Sequence, residues 1–211
     1  NGQKDEGLRA AHIQETGDPH MRTMLSIYRE YEEVCNRLGV IDFAELLLRA
    51  LELWKNNPAV LDHYQQRFQH ILVDEFQDTN AVQYAWLRLL AGKASGVTAV
   101  GDDDQSIYGW RGAKVENILS YERHFADTHT VKLEQNYRST SNILGAANAV
   151  IAKNAERLGK NLWTDSGEGE PIALYAAFNE HDEARYIADR LQSWVQQGNR
   201  REDSAILYRS N

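Results

Sequence analysis

From residue 70 onward, short apolar runs alternate with longer segments of helical periodicity, and this alternation constrains the fold more than any other feature. Strands that alternate with helices form parallel sheets with crossover helices. We therefore predict an α/β fold. The predicted strands are 71–73, 97–101, 130–133, 172–178 and 205–208, and the predicted helices are 81–91, 114–125, 141–154 and 182–195.

Residues 20–69 have a different pattern, with apolar side chains at helical spacing throughout. Asp42 stands directly before one such segment, where a carboxylate can cap a helix, and Pro58 stands at the start of the next. This part of the chain is predicted to be helical.

Composition limits the possible partners. The chain is 42% hydrophobic and 26% charged, as in ordinary soluble domains, and its net charge is −8. Because that charge opposes nonspecific attraction to polyanions, any nucleic-acid contact must come from a local group of cationic and aromatic side chains. Cys35, the single cysteine, is interpreted as a bystander thiol of a reducing compartment. No apolar run is long enough to span a membrane, so we predict a cytoplasmic protein.

The motif ILVDEFQDT places Asp74 and Glu75 directly after an apolar strand. If the strand continued, their side chains would alternate, so that Asp74 could bind Mg²⁺ while Glu75 faced an attacking water. The alternative is a solvated acidic strand end, with Asp78 or Thr79 capping the next helix.

A carboxylate pair of this kind normally works beside a phosphate-binding loop of pattern G-x-x-x-x-G-K-[ST]. The chain has no such loop, because neither of its Gly-Lys pairs, 92–93 and 159–160, fits the pattern. Either the site has another function, or the chain is incomplete.

The motif GDDDQSIYGWRGA, residues 101–113, displays aromatic rings around Gly109. Tyr108 and Trp110 offer flat faces for base stacking, with Arg111 alongside. Gln105 is a neutral group that could sense a phosphate oxygen. The alternative is that the two rings only fill space against the domain. The three aspartates lack the ligand spacing of a calcium loop, and the histidines lack that of a zinc site.

The motif LEQNYRSTSNIL places Tyr137 and Arg138 between a predicted strand and a predicted helix. Arg138 has the planar fork that binds phosphate oxygens, and Tyr137 has a face for a purine. The alternative is a surface arginine paired with Glu134.

Taken in this order, the three motifs resemble those of the UvrD/Rep/PcrA-type superfamily 1 DNA helicases, and the UvrD branch most. The resemblance covers essentially the whole chain, including IDFAELLLRA and the closing ILYRSN. It implies parts of two RecA-like P-loop NTPase motor domains, which bind ATP in the cleft between them, preceded by a helical accessory segment. The expected division is residues 1–68 for the accessory segment, 69–134 for the second half of the first motor domain and 135–211 for the start of the second.

The resemblance also implies a role for each motif residue. Asp74 would hold Mg²⁺, Glu75 would activate the hydrolytic water, and Gln105 would link the γ-phosphate to the DNA-binding loop. Tyr108 and Trp110 would stack on bases, supported by Arg111. Tyr137 would stack on adenine, and Arg138 would contact the γ-phosphate. Arg209 and Asn211 would contact the DNA backbone.

The function implied for the parent protein is that of an ATP-dependent DNA helicase, moving 3′ to 5′ on single-stranded DNA and at duplex junctions, in DNA repair or replication. DNA-repair proteins are possible partners, and no membrane is expected. The phosphate-binding loop is expected upstream of Asn1, so we expect these 211 residues alone to be inactive. Two alternatives stay open, the motor of a helicase-nuclease and a non-catalytic module that binds DNA or a partner.

Overall fold

The computed structural model describes residues 2–94, 96–155 and 157–208. The chain divides into two compact units. The first comprises Asn1–Glu134 and Asn148–Asn161, and the second comprises Gln135–Ala147 and Leu162–Asn211. Among the described residues, no helix is both long and apolar enough to cross a membrane.

The first part of the first unit is helical, as the sequence predicts. Asp42 caps the third helix, because its side chain accepts a hydrogen bond from the backbone N–H of Glu45 at 2.7 Å. The second helix is followed by Gly39, which has the left-handed conformation that favours glycine. The helices are α1 (Gly2–Asp5), α2 (Pro19–Leu38), α3 (Phe43–Asn56) and α4 (Pro58–Arg67).

A strand–helix–strand unit follows, made of β1 (His70–Val73), α5 (Ala81–Leu90) and β2 (Gly96–Ala99). The two strands pair in parallel, as predicted, from His70 opposite Gly96 to Val73 opposite Ala99. The cap of α5 differs from both candidates in the sequence. The Asn80 side chain accepts a hydrogen bond from the N–H of Gln83, and the N–H of Asn80 donates one to the Gln83 side chain, which completes a capping box.

The core of the first unit lies between this sheet and the helices. Phe76 is fully buried and meets the rings of Tyr84 and Tyr121 edge to face. Trp54 of α3 belongs to the same cluster and stacks on Trp86 of α5, with ring centroids 4.7 Å apart. Helices α3 and α5 and the sheet therefore share one apolar core.

The predicted helix over 114–125 is divided into α6 (Glu116–Leu119) and α7 (Tyr121–His124). Ser120 between them leaves the helical conformation, with φ −101° and ψ 4°. Each half has its own anchor: the Asn117 amide donates to the carbonyl of Thr79, and the Tyr121 hydroxyl donates to the carbonyl of Val97. Two separate attachments therefore replace one continuous helix.

The second unit contains the start of α8 (Ser141–Ile151) and all of α9 (Glu180–Gln196). Both helices were predicted. The strands predicted at 172–178 and 205–208, and the one at 130–133 in the first unit, are wrong for this structure, because these segments form no strand. A strand needs a neighbour for its N–H and C=O groups, and no described segment pairs with them. Their apolar side chains remain almost fully exposed at Leu174, Phe178 and Leu207.

Candidate nucleotide and nucleic-acid site

The loops that follow β1 and β2 begin side by side at the carboxyl edge of the sheet. The N–H of Val100 donates to the carbonyl of Val73 at 2.8 Å, and the N–H of Phe76 donates to the carbonyl of Val100 at 3.0 Å. Ligands of parallel α/β sheets bind at this edge. The first two sequence motifs therefore lie next to each other within the first unit.

Glu75 has a left-handed backbone conformation, with φ 49° and ψ 44°. Strand β1 has ended at Val73, so the predicted alternation of Asp74 and Glu75 along a continuing strand is wrong. Instead, the Asp74 carboxylate accepts a hydrogen bond from the N–H of Glu75 at 2.9 Å, and both side chains are exposed. The left-handed conformation costs a glutamate about 1–2 kcal/mol. Strain of this kind is common where a turn presents a functional side chain.

Gln77 joins the two loops, and sequence reasoning missed it. It is only 1% exposed, and its amide nitrogen donates to the Glu75 carboxylate at 2.8 Å. Its amide oxygen accepts from the N–H of Asp102 at 2.9 Å. A Cβ added to Gly101 would lie 2.8 Å from that oxygen, so the close approach requires glycine. The only sequence signal is a glutamine two residues beyond the carboxylate pair.

Thr79 supports the turn, because its hydroxyl donates to the carbonyl of Phe76 at 2.8 Å, and neither Asp78 nor Thr79 caps the next helix. The Thr79 carbonyl accepts from the N–H of Lys114 at 2.9 Å, which ties the turn to the start of the α6 region. One carboxylate oxygen of Asp78 is buried without a hydrogen-bond partner among the described residues. Burial and then the nearby charge of Glu75 raise the pKa of Asp78.

Gln105 ends the short 3₁₀ turn Asp103–Gln105, which Asp102 caps. Its exposed amide donates to the Asp102 carboxylate at 2.6 Å. Glu75 and Gln105 are therefore linked through Gln77 and Asp102. Residues 157–160 form ion pairs and a hydrogen bond with the three aspartates of this loop. Sequence reasoning also missed this contact, because neither segment carries a sequence signal that points to the other.

Of the two aromatic residues of this loop, Trp110 is displayed outward and Tyr108 is half-buried. Trp110 is 76% exposed, and its ring centroid lies 6.5 Å from that of Tyr108 at an angle of 52°. The Arg111 guanidinium lies over both rings, 4.5 Å from the centroid of Trp110 and 5.1 Å from that of Tyr108. A cation at this distance is attracted to the ring faces. The exposure of Trp110 argues against the alternative that this ring only fills space.

In the second unit, Tyr137 and Arg138 lie on a turn organised by Asn136. Its side-chain oxygen accepts hydrogen bonds from the N–H groups of Arg138 and Ser139, both at 2.8 Å. The Tyr137 hydroxyl donates to Gln135 at 2.8 Å, while the residue is 82% exposed. The side chains of Tyr137 and Arg138, both predicted to contact a ligand, are therefore accessible from solvent. Arg209 and Asn211 lie outside the described residues.

Comparison with known proteins gives two consecutive family matches. Residues 1–126 match the UvrD/REP helicase N-terminal domain, and residues 131–211 match the UvrD-like helicase C-terminal domain. Over all 211 residues the chain is 61% identical to DNA helicase II of Escherichia coli and 56% identical to that of Haemophilus influenzae. It is 45% identical over 197 residues, 93% of the chain, to the ATP-dependent DNA helicase PcrA of Staphylococcus aureus. The chain spans 29% of the length of the first two relatives and 27% of the third.

Proposed function

The chain belongs to the UvrD/REP helicase family, and from that premise we propose that it is part of an ATP-dependent DNA helicase that acts on single-stranded DNA. Family membership implies a RecA-like α/β fold. The observation that carries the proposal is the hydrogen-bonded bridge from Glu75 through Gln77 to Asp102, because it joins a carboxylate turn to a loop that displays aromatic rings. A motor that couples hydrolysis to movement needs such a link.

The turn that carries Asp74 and Glu75 is assigned to the binding and hydrolysis of ATP. Asp74 fits a Mg²⁺ ligand, because its exposed carboxylate stands at the sheet edge and Mg²⁺ in such sites takes one or two carboxylates plus phosphate oxygens. Bound there, Mg²⁺ would neutralise charge on the phosphates. Glu75 would accept the proton of the attacking water, and its turn holds that carboxylate toward solvent. Gln105 would hydrogen-bond to the terminal phosphate.

The aromatic loop is assigned to single-stranded DNA. Tyr108 and Trp110 would each stack on a base, which contributes roughly 1–3 kcal/mol per base. Arg111 supports this role by lying over both rings, where its charge adds attraction for the phosphate backbone. A local cationic and aromatic surface is what a chain of net charge −8 needs to bind DNA.

The second unit is assigned two nucleotide contacts, the Tyr137 ring with adenine and the Arg138 guanidinium with the γ-phosphate. The exposure of both side chains supports this role. We assign residues 1–68 to the end of a helical accessory segment, 69–134 to the second half of the first motor domain and 135–211 to the start of the second. Arg209 and Asn211 are assigned to the DNA backbone.

Four further parts of the proposal rest on likeness to the family. They are movement from 3′ to 5′, a cytoplasmic location, DNA-repair proteins as partners, and a role in repair or replication. In coupling, a contact between Gln105 and phosphate would compete with the bond from Gln105 to Asp102. Tyr108, the first aromatic residue of this loop, follows Gln105 by three positions, so a change in this bond would be transmitted to the stacked base.

The test is Glu75→Gln in the full-length protein that carries this chain. Loss of the general base is expected to lower DNA-stimulated ATP hydrolysis by a factor of about 10²–10⁴ while ATP still binds, because the amide keeps the hydrogen bond to Gln77. Hydrolysis is measured by phosphate release and binding with a fluorescent ATP analogue. Exposed Glu116→Gln is the matched control and should retain wild-type rates. Loss of ATP binding by Glu75→Gln would make Glu75 structural instead.

A further inference from the structure

Each aspartate of the run Asp102–Asp104 is held by the turn Arg157–Lys160. The Lys160 ammonium lies 2.5 Å from an Asp102 carboxylate oxygen. Asp103 accepts a hydrogen bond from the N–H of Leu158 at 2.7 Å. Arg157 donates to both oxygens of Asp104, at 2.8 and 2.5 Å. The acidic loop therefore has a complete set of partners more than 50 residues further along the chain.

The turn is itself fixed in place. The Lys132 ammonium donates to the carbonyls of Leu158 and Gly159, at 3.0 and 2.6 Å. Arg157 also donates to the carbonyl of Lys160 at 2.8 Å, which closes the turn on itself. Gly159 has a φ of 71°, a left-handed conformation that glycine adopts without strain. The turn therefore offers a preorganised set of donors, and the loop is the part that it holds.

Asp102 connects the turn to Gln105. The same carboxylate oxygen accepts from the Gln105 amide at 2.6 Å and pairs with Lys160. Partial burial opposes ionisation of Asp102, but hydrogen bonds from Lys160 and Gln105 outweigh that effect and lower the pKa of its carboxyl group. Without Lys160, the Asp102 carboxylate would keep only neutral donors, the Gln105 amide and the N–H of Asp104, among the described residues.

The charges also matter for the ligands. Three adjacent carboxylates would repel a triphosphate and a DNA strand, since like charges in a partly desolvated site interact strongly. Arg157 and Lys160 offset two of these charges with cations whose side chains are largely buried. The loop can then present Gln105 and its aromatic rings to anionic ligands.

We propose that Arg157 and Lys160 are positioning residues of the motor, which hold the loop so that Gln105 can couple ATP hydrolysis to bound DNA. This inference rests on the proposed function. Neither residue touches a ligand in this scheme, because each acts through an aspartate of the loop.

The experiment measures ATP hydrolysis by the full-length protein that carries this chain, with and without a single-stranded oligonucleotide. For Lys160→Gln, the ratio of the DNA-stimulated rate to the DNA-free rate is expected to fall roughly tenfold, the effect of losing a charge-assisted bond. A residue that only maintained the fold would lower both rates together and leave their ratio unchanged. Lys160→Arg, which keeps the cation, should restore most of the ratio. Lys153→Gln, an exposed lysine of the same segment, is the matched control and should keep the wild-type ratio.

A Lys160→Gln ratio equal to that of the control overturns the inference, as does a parallel fall of both rates. If Lys160→Gln does not fold, the same ratio of rates is measured for a second variant, Arg157→Gln, with the same expected result. Failure of both variants to fold makes the turn structural and also overturns it. Absence of DNA-stimulated hydrolysis in the wild-type protein would instead refute the proposed function, so the two failures are distinguishable.

Discussion

Glu45 and Glu75 are glutamates of the same unit in opposite surroundings. Glu45 of α3 is 4% exposed and is contacted by Lys4 at 2.9 Å, Arg9 at 3.0 Å and Arg49 at 2.6 Å. Burial opposes its ionisation, but hydrogen bonds from these three cations outweigh burial and lower the pKa of its carboxyl group. Glu75 is exposed, lies on a strained turn, and has Gln77 as the one side-chain partner of its carboxylate within the described ranges.

The difference separates two uses of a carboxylate. A buried charge with several partners holds elements together, here the N-terminal segment against α3, and its removal leaves the partners uncompensated. An exposed charge with one partner keeps most of its hydrogen-bonding capacity for a ligand. Partner number and burial therefore distinguish a structural glutamate from a candidate catalytic one.

The largest effect is expected from removing the structural carboxylate. Glu45→Ala should lower the free energy of unfolding by about 3–5 kcal/mol, because Lys4 is almost fully buried and loses one of its two carboxylate partners. Chemical denaturation measures the change. Exposed Glu33→Ala is the matched control and should change stability little. Equal effects in the two variants would show that the cluster does not hold the segment.

Gly101→Ala tests the close contact between the two loops of the candidate site. The added methyl group would lie 2.8 Å from the Gln77 amide oxygen and 2.9 Å from the Ile118 side chain, so the loops must separate. Overpacking of this kind costs about 1–3 kcal/mol of unfolding free energy. Gly109→Ala, where the methyl group would meet nothing within 4 Å, should be close to neutral. A neutral Gly101→Ala would mean that the bridge through Gln77 tolerates displacement.

Trp110→Ala tests the exposed side of the site. Single-stranded DNA binding by the full-length protein, measured by fluorescence anisotropy, should weaken by about 1–3 kcal/mol. Stability should be retained, since the side chain lies mostly in solvent. Ile107→Ala removes an exposed apolar side chain without an aromatic face from the same loop, so its DNA affinity should stay near that of the wild type. Unchanged affinity in Trp110→Ala would remove this ring from the DNA site.

Local sequence signals predicted most of the helices and the two paired strands. Periodicity and the Asp42 cap identified α3, and the apolar runs identified β1 and β2 together with the polar loops at their carboxyl ends. The cap of α5 was misassigned because Asp78, Thr79 and Asn80 are all capable caps. Only the reciprocal bond between Asn80 and Gln83 decides among them.

Features that depend on distant partners could not be predicted. The strand runs at 172–178 and 205–208 have the correct residues, but a strand also requires a neighbouring strand. The bridge of Gln77 to Asp102 spans 25 residues, and the contact of Arg157 with Asp104 spans 53. The left-handed turn at Glu75 is unexpected for a glutamate and depends on the contacts that hold it.

The smallest effect is expected from substitutions that relieve backbone strain. Two non-glycine residues in the described part of the chain have a positive φ, Glu75 at 49° and Asp127 at 57°. Asp127 is exposed, and its side chain has no hydrogen bond or ion pair with any residue that the structure describes. Asp127→Gly should therefore relieve strain and raise the free energy of unfolding by about 0.5–1 kcal/mol. Glu75→Gly relieves similar strain but leaves the buried amide nitrogen of Gln77 without its acceptor, an opposing loss of about 1–3 kcal/mol. It should therefore not stabilise the protein. Denaturation of both variants provides the comparison, and an equal gain in both would show that the bond from Gln77 does not hold the Glu75 turn.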